Sequence, residues 1–177
     1  LPIMKEILPG IQAVFGVHSS TNAVNQVMDG LVEYQEDGLS GKMLDLRQLN
    51  IVMDQFQRDQ RGFIIGVSSV SGLRGRSKNY IYGSSKAAMI AYLSGLRNRL
   101  SNYNINVLSV IPGFLSTKKD QKKGYPRFMV STPKQLANKI FNAQQKNKNI
   151  IYSSMIWYFI MFIIKLIPES LFKKLNI

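Results

Sequence analysis

The sequence predicts an α/β domain in which helices flank a parallel β-sheet. Short apolar runs that end in polar or Pro-Gly clusters alternate along the chain with longer segments of helical periodicity. One run, residues 63–68, is almost entirely apolar, as expected for a parallel strand that is covered on both faces. The order strand, helix, strand, helix, strand favours a parallel sheet.

Four strands and three helices are expected before residue 153. The strands are predicted over residues 11–17, 63–68, 104–111 and 149–152. The helices are predicted over residues 42–59, 82–100 and 133–146. Thr132 and Pro133 suit the N-cap and the first position of the last helix. In the helix over 82–100, a side for close packing is predicted from Ala87, Ala88, Ala91, Leu93, Leu96 and Leu100.

The composition indicates one globular domain without cysteine chemistry. The chain has 177 residues, of which 45% are hydrophobic, and this is enough to bury a core. Because there is no cysteine, disulfides and thiolate catalysis are excluded. A single histidine, His18, also excludes a His/Cys zinc site. A reducing cytoplasm is compatible with this composition.

Charge is unevenly distributed along the chain. Residues 1–60 hold four basic and eight acidic side chains, whereas residues 61–177 hold nineteen basic and two acidic ones. A surface with such an excess of cations attracts the phosphate of a nucleotide, an anionic lipid or a nucleic acid. A solvated basic face is the alternative interpretation. Nucleic-acid binding is the weakest hypothesis, because no recognised nucleic-acid motif accompanies the charge.

The C-terminal segment 154–177 differs in character from residues 1–153 and is predicted to form an apolar tail helix. Its ten consecutive apolar residues, 155–164, are too few to span a bilayer, which needs about 20. The residues that suit a helix lying in a membrane interface are Trp157, Tyr158, Lys165, Lys173 and Lys174. A helix docked on the sheet or in a subunit interface is the alternative.

Three polar side chains are expected to converge where the strand over 63–68 ends. Tyr82 and Lys86 stand four residues apart on a predicted helix, so the phenol and the ammonium share one face. Ser69 lies thirteen residues before Tyr82, directly after the strand. A hydroxyl, a phenol and an ammonium in one place form a constellation suited to proton transfer.

This constellation fits the reduction of a carbonyl group. The developing alkoxide needs a proton, and a tyrosine with the ordinary pKa near 10 is a poor acid–base catalyst at neutral pH. A lysine one turn away favours the phenolate, and a serine hydroxyl can fix the substrate oxygen by a hydrogen bond. A Tyr-x-x-x-Lys pair alone is weak evidence, since surface pairs with this spacing are common.

Three segments around these residues form a more specific combination. They are Ser68-Ser69-Val70-Ser71-Gly72, Tyr82-Gly83-Ser84-Ser85-Lys86-Ala87-Ala88 and Ile111-Pro112-Gly113-Phe114-Leu115-Ser116-Thr117. In their order, and in the spacing of serine and tyrosine, they resemble the short-chain dehydrogenase/reductase family. The resemblance implies a Rossmann-like parallel sheet flanked by helices, and an enzyme that uses NAD or NADP.

The resemblance also implies a role for each matching residue. Tyr82 would be the general acid/base, Ser69 would orient the carbonyl, and Lys86 would favour the phenolate and hold the nicotinamide ribose. The residues expected to contact the cofactor, mostly at its nicotinamide end, are Tyr82, Lys86, Pro112, Gly113 and Thr117. No metal is expected.

The implied function is hydride transfer between a nicotinamide and a ketone or secondary alcohol. Within the family, Tyr-Gly-Ser-Ser-Lys-Ala and residues 167–177 are similar to the decaprenylphosphoryl-2-keto-ribose reductases. That similarity implies a keto-sugar carried on a polyprenyl phosphate. The family resemblance implies a homo-oligomer, and the expected location is the cytoplasm, at the inner face of the membrane.

The sequence departs from the family at its N-terminal side. The Gly-rich turn Thr-Gly-x-x-x-Gly-x-Gly, which cradles the cofactor pyrophosphate at a helix N-terminus, does not occur. The chain is therefore predicted to lack the first βαβ nucleotide-binding units, and its start at Leu1 predicts a fragment. The alternative is a catalytically inactive membrane-surface or partner-binding protein that retains the C-terminal half of the fold.

Overall fold

The structure is a computed structural model that describes residues 13–16, 54, 56–58, 60, 62–116 and 125–175. The strands are β1 (Ala13–Gly16), β2 (Gly62–Val67), β3 (Ile105–Ile111), β4 (Phe114–Leu115), β5 (Val130–Ser131) and β6 (Ile150–Tyr152). The helices are α1 (Tyr80–Arg99), α2 (Pro133–Gln145), α3 (Met155–Leu166) and α4 (Glu169–Phe172). Two 3₁₀ helices lie over Val70–Gly72 and Arg127–Met129.

The main sheet has the strand order β1-β2-β3-β6. Strands β2, β3 and β6 are parallel, which confirms the predicted parallel α/β sheet. Strand β1 runs antiparallel to β2, with Val14 opposite Ile65. A short apolar run predicts a buried strand but carries no signal for its direction, because direction depends on the connection to the next strand. Strands β4 and β5 form a separate parallel pair.

Both faces of the sheet are covered, as the apolar run in β2 predicts. On one face, Ile64 of β2 and Val107 of β3 pack in a cluster with Leu93 of α1. On the other face, Ile65 packs in a cluster with Ile140 of α2. Consecutive residues of β2 therefore belong to opposite cores, and this matches the two-residue alternation of a strand.

Helix α1 packs closely on the sheet, but not through its alanines. A Cβ built on Gly66 of β2 would overlap the side chain of Leu93, so the glycine allows this approach. The predicted packing side is right for Leu93, Leu96 and Leu100, which are buried, and wrong for the alanines, since Ala87 and Ala91 are exposed. The buried residues of the helix are Gly83, Lys86, Met89, Leu93 and Leu96.

The helix over 133–146 is confirmed with its N-terminal signal. The Thr132 hydroxyl accepts a hydrogen bond from the Gln135 amide at 3.2 Å, and the Gln135 side chain accepts one from the Thr132 amide at 2.9 Å. This is a capping box with Pro133 at the first helical position. Of the helix predicted over 42–59, residues 54 and 56–58 are helical, and residues 42–53 lie outside the described residues.

Helix α3 confirms the predicted apolar tail helix and docks on the domain by one side. Trp157 and Met161, one turn apart, are buried in a cluster with Val70 and Ile111. The other sides of the helix are largely exposed. Among the residues that the structure describes, no helix is long and apolar enough to cross a membrane.

Arg97 of α1 bonds the helix to β3 and to the residue that precedes β6. Its guanidinium donates hydrogen bonds to the Val107 carbonyl, the Ser109 hydroxyl and the Asn149 carbonyl at 3.0, 2.7 and 2.9 Å. We expect Arg97→Met to lower the free energy of unfolding by about 2 kcal/mol, because buried polar atoms lose their donors. Urea unfolding measures this change.

Arg99→Met is the matched control for this prediction. Arg99 pairs with Asp54 at 2.9 Å on the exposed surface, and such a pair contributes less than about 1 kcal/mol. Equal losses in the two variants would contradict the role assigned to Arg97.

Candidate active site

The candidate site lies at the carboxyl ends of β2 and β3. Because these strands are parallel neighbours, the loops that follow them start side by side. The Ser68 amide donates to the Val110 carbonyl at 2.8 Å, and the Val70 amide donates to the Pro112 carbonyl at 2.9 Å. The serine loop, residues 68–72, is thereby hydrogen-bonded to the Pro-Gly turn, residues 112–113.

Ser69 stands at the N-cap of the 3₁₀ helix in the serine loop. Its hydroxyl accepts a hydrogen bond from the Ser71 amide at 3.1 Å, and this bond fixes the side chain. The residue is 7% exposed. Since the oxygen accepts from the backbone, its proton remains available for donation to a second oxygen.

A second serine fastens the loop to α1. The buried Ser68 hydroxyl donates to the Lys86 carbonyl at 2.8 Å. Gly72 permits the close approach, since a Cβ there would lie 2.6 Å from the Lys86 carbonyl carbon. A Cβ on Gly83 would lie 3.0 Å from the Ser71 carbonyl oxygen. The serine loop therefore rests on the first turns of α1, the helix that holds Tyr82.

Lys86 is buried between α1 and the end of β2. Only 6% of the residue is exposed, and its Nζ lies 3.5 Å from the Val67 carbonyl oxygen. Burial lowers the pKa of the Lys86 amine from 10.5 to about 8, because the ammonium loses hydration. With that pKa, the side chain is still an ammonium at neutral pH.

The ammonium of Lys86 lies beside the ring of Tyr82, as the four-residue spacing predicts. The distance from Nζ to the ring centroid is 5.7 Å. Tyr82 itself is half-buried, whereas Tyr80 is 63% exposed. The structure thus places Tyr82 and Lys86 together and fastens the loop of Ser69 to the same helix turn.

The Pro-Gly turn is held from the C-terminal side of the chain. The Gly113 amide donates to the Ser153 hydroxyl at 3.1 Å. The Trp157 indole packs so closely on the turn that a Cβ on Gly113 would overlap it. The indole N–H donates to the Met129 carbonyl at 2.8 Å, which fixes the ring. Thr117 lies outside the described residues.

Sequence reasoning missed three residues that support the site. Ser68 bonds the loop to α1, and Ser153 and Trp157 hold the Pro-Gly turn. For Ser68, the sequence did contain a signal, which is the cluster of serines over residues 68–71. Ser153 and Trp157 are about 40 residues from the turn in sequence, and no local pattern connects them to it.

Comparison with known proteins finds a family with a similar sequence. The family model of the short chain dehydrogenases matches residues 46–126, which include Ser69, Tyr82, Lys86 and the Pro-Gly turn. Over these residues the chain is similar to the short-chain dehydrogenases. Similar relatives include an uncharacterized oxidoreductase of Myxococcus xanthus, 27% identical over 121 residues that cover 66% of this chain and 46% of that protein.

A second relative and a solved structure are also similar to the chain. The ketoacyl reductase HetN of Nostoc is 33% identical over 91 residues, 49% of this chain and 31% of the relative. A short-chain dehydrogenase from Burkholderia cenocepacia in complex with NADP has a TM-score of 0.60 at 16% identity. The likeness covers 89% of this chain and 63% of that one, and it shows the fold. The chain spans about half the length of the curated relatives it matches.

We expect Gly72→Ala to destabilise the protein by about 1–3 kcal/mol, because the new methyl group collides with the backbone of α1. Gly75→Ala is the matched control, since a Cβ at that position meets no atom within 4 Å. Urea unfolding of both variants checks the prediction. If the two substitutions have the same effect, the loop does not rest on the helix as described.

We expect the buried ammonium of Lys86 to reduce stability at neutral pH. The pKa is about 8 in the folded protein and near 10.5 in the unfolded chain, so the unfolded state binds more protons between these pH values. The free energy of unfolding therefore gains about 3 kcal/mol as the pH rises from 8 to 10.5.

Lys86→Met removes this gain. The free energy of unfolding of the wild type minus that of the variant should therefore rise by about 3 kcal/mol between pH 8 and 10.5. Chemical unfolding at several pH values measures it, and the exposed Lys78→Met serves as control. A difference that stays flat with pH would show that Lys86 is solvated in the folded protein.

Proposed function

We propose that this chain carries the proton-transfer residues of an NAD(P)-dependent carbonyl reductase that interconverts a ketone and a secondary alcohol. The observation that carries the proposal is the buried ammonium of Lys86, which lies between the end of β2 and the ring of Tyr82. Burying an ammonium forfeits its hydration, so fold stability alone does not favour a lysine at this position. Proton-transfer chemistry favours a buried lysine here, because it needs a cation beside the phenol.

The residues at the ends of β2 and β3 fit a nicotinamide cofactor. In open α/β sheets, ligands bind in the crevice outside the carboxyl ends of the strands. Lys86 would donate hydrogen bonds to ribose hydroxyls, and Pro112 and Gly113 would line the nicotinamide. A bound NAD or NADP supplies the hydride. The NADP complex of the similar Burkholderia protein supports this cofactor class.

In the proposed reaction, the chain's own side chains bind the carbonyl and deliver the proton. The Ser69 hydroxyl donates a hydrogen bond to the carbonyl oxygen and fixes its orientation. Tyr82 donates its phenolic proton to the same oxygen as negative charge develops there. Lys86 then stabilises the phenolate through its charge. In the oxidation of an alcohol, the phenolate accepts the proton instead.

We propose that the substrate is a ketone carried on a lipid phosphate. The specific substrate that we propose within this class is a keto-sugar on a polyprenyl phosphate. The net charge of +13 supports a phosphate-bearing substrate, and the exposed apolar side chains of α3 support a lipid carrier. The reaction would then take place at a membrane surface. The ketoacyl reductase relative favours a 3-ketoacyl compound as the second candidate.

We expect Tyr82→Phe to lower kcat for ketone reduction at least 100-fold, because the proton donor is lost while the ring remains. The measurement is ketone-dependent oxidation of NADH and NADPH by the full-length protein, with a 3-ketoacyl ester and a lipid-phosphate ketone as substrates. Tyr80→Phe is the matched control, since Tyr80 is exposed and lies six residues from Lys86.

Unchanged activity in Tyr82→Phe would refute the assigned roles. A wild-type protein that binds neither NADH nor NADPH would favour the competing proposal, a catalytically inactive membrane-surface or partner-binding protein. Light scattering of the same samples tests the homo-oligomer that the family resemblance implies.

A further inference from the structure

The solvent-exposed surface of helix α3 is far more apolar than that of an ordinary surface helix. Its buried residues are Trp157 and Met161, and Lys165 is its one charged residue. Apolar side chains that are at least 43% exposed on α3 and the following residues are Met155, Tyr158, Phe159, Phe162, Ile163, Leu166, Leu171 and Leu175. We call this set the tail face. A helix that only covers a core normally carries polar residues on its outer side.

The tail face continues into a groove of about 500 Å³ beside β6. Met155 and Tyr158 belong to both. The groove is also lined by the lysine side chains of α2 and of the connection to β6, which are Lys139, Lys146 and Lys148. Apolar and cationic surfaces are therefore contiguous around the first turn of α3.

The charge around the tail face is almost entirely positive. Residues 125–175 contain eight basic side chains and one acidic side chain, Glu169. Glu169 pairs with Arg74 at 2.7 Å, so even this carboxylate is matched by a cation. Lys165, Lys173 and Lys174 follow the apolar residues along α3 and α4 and are exposed.

We infer that the tail face and the lysine groove bind the surface of an anionic phospholipid bilayer. The apolar side chains of α3 would enter the interface between headgroups and acyl chains, and the lysines would contact lipid phosphates. A second copy of this chain fits the face less well, because association through it would bring two cationic surfaces together.

Trp157 links this surface to the candidate active site. The exposed side of α3 would meet the bilayer, while the buried side of the same helix packs on Gly113 and bonds to Met129. A substrate carried in the membrane would therefore lie near the Pro-Gly turn. The inference deepens the proposed membrane location of the reaction.

The test is cosedimentation of the full-length protein with vesicles, without ketone or cofactor. Failure would therefore leave the proposed reaction standing. We expect at least tenfold tighter partitioning onto vesicles of phosphatidylcholine with 30% phosphatidylglycerol than onto phosphatidylcholine alone. The excess should fall at 1 M salt, which screens the lysines. Equal partitioning onto both vesicles, or none, would overturn the inference.

Two pairs of variants locate the contact. Phe159→Ser with Phe162→Ser should weaken binding to anionic vesicles at least tenfold. The same change at two exposed apolar residues outside the tail face, Ile81→Ser with Phe128→Ser, should not. Lys146→Glu with Lys148→Glu should strongly reduce the preference for anionic vesicles, whereas Lys78→Glu with Lys134→Glu, which changes the charge equally, should retain it.

Thermal unfolding shows whether each variant is folded. If Phe159→Ser with Phe162→Ser is not folded, the result for Lys146→Glu with Lys148→Glu decides the test. Light scattering tests whether a second copy of the chain binds the tail face instead. If Phe159→Ser with Phe162→Ser dissociates an oligomer while vesicle binding is unchanged, the tail face binds a second copy of the chain, and the inference is wrong.

Discussion

The contact between the serine loop and helix α1 at Lys86 is the constraint on which the candidate site depends. A buried hydroxyl of Ser68 bonds to the carbonyl of Lys86, and Gly72 lets the loop touch the helix backbone. The contact sets the loop that carries Ser69 against the helix that carries Tyr82. The ammonium of Lys86 is buried beside the Val67 carbonyl, and its loss of hydration lowers the pKa of that group.

Burial of Lys86 opposes stability, and the proposed proton transfer accounts for it. An exposed lysine at this position would keep its hydration, and a methionine of similar length would pack without loss. The fold instead holds a cation beside the Tyr82 ring at the end of a parallel strand, where open α/β sheets bind their ligands. Unfavourable burial of a charge at a ligand-binding edge is expected of a functional site rather than of a core.

Local patterns were sufficient to predict the elements that form the site. The apolar run of β2, the four-residue spacing of Tyr82 and Lys86, and the N-cap at Thr132 all depend on neighbours within one turn or one strand. The parallel sheet followed from their order. These features agree with the structure because each is determined by a few adjacent residues.

Features that depend on distant residues could not be predicted in this way. The direction of β1 depends on chain connections, and the close approach of Leu93 in α1 depends on a glycine in β2. Trp157 acts on a turn 44 residues earlier, through a contact that no periodicity encodes. The apolar run that contains it predicted a helix, but only the fold shows which side that helix buries. That buried side makes the tail part of the candidate site, since removing the indole would leave a cavity against the Pro-Gly turn at Gly113.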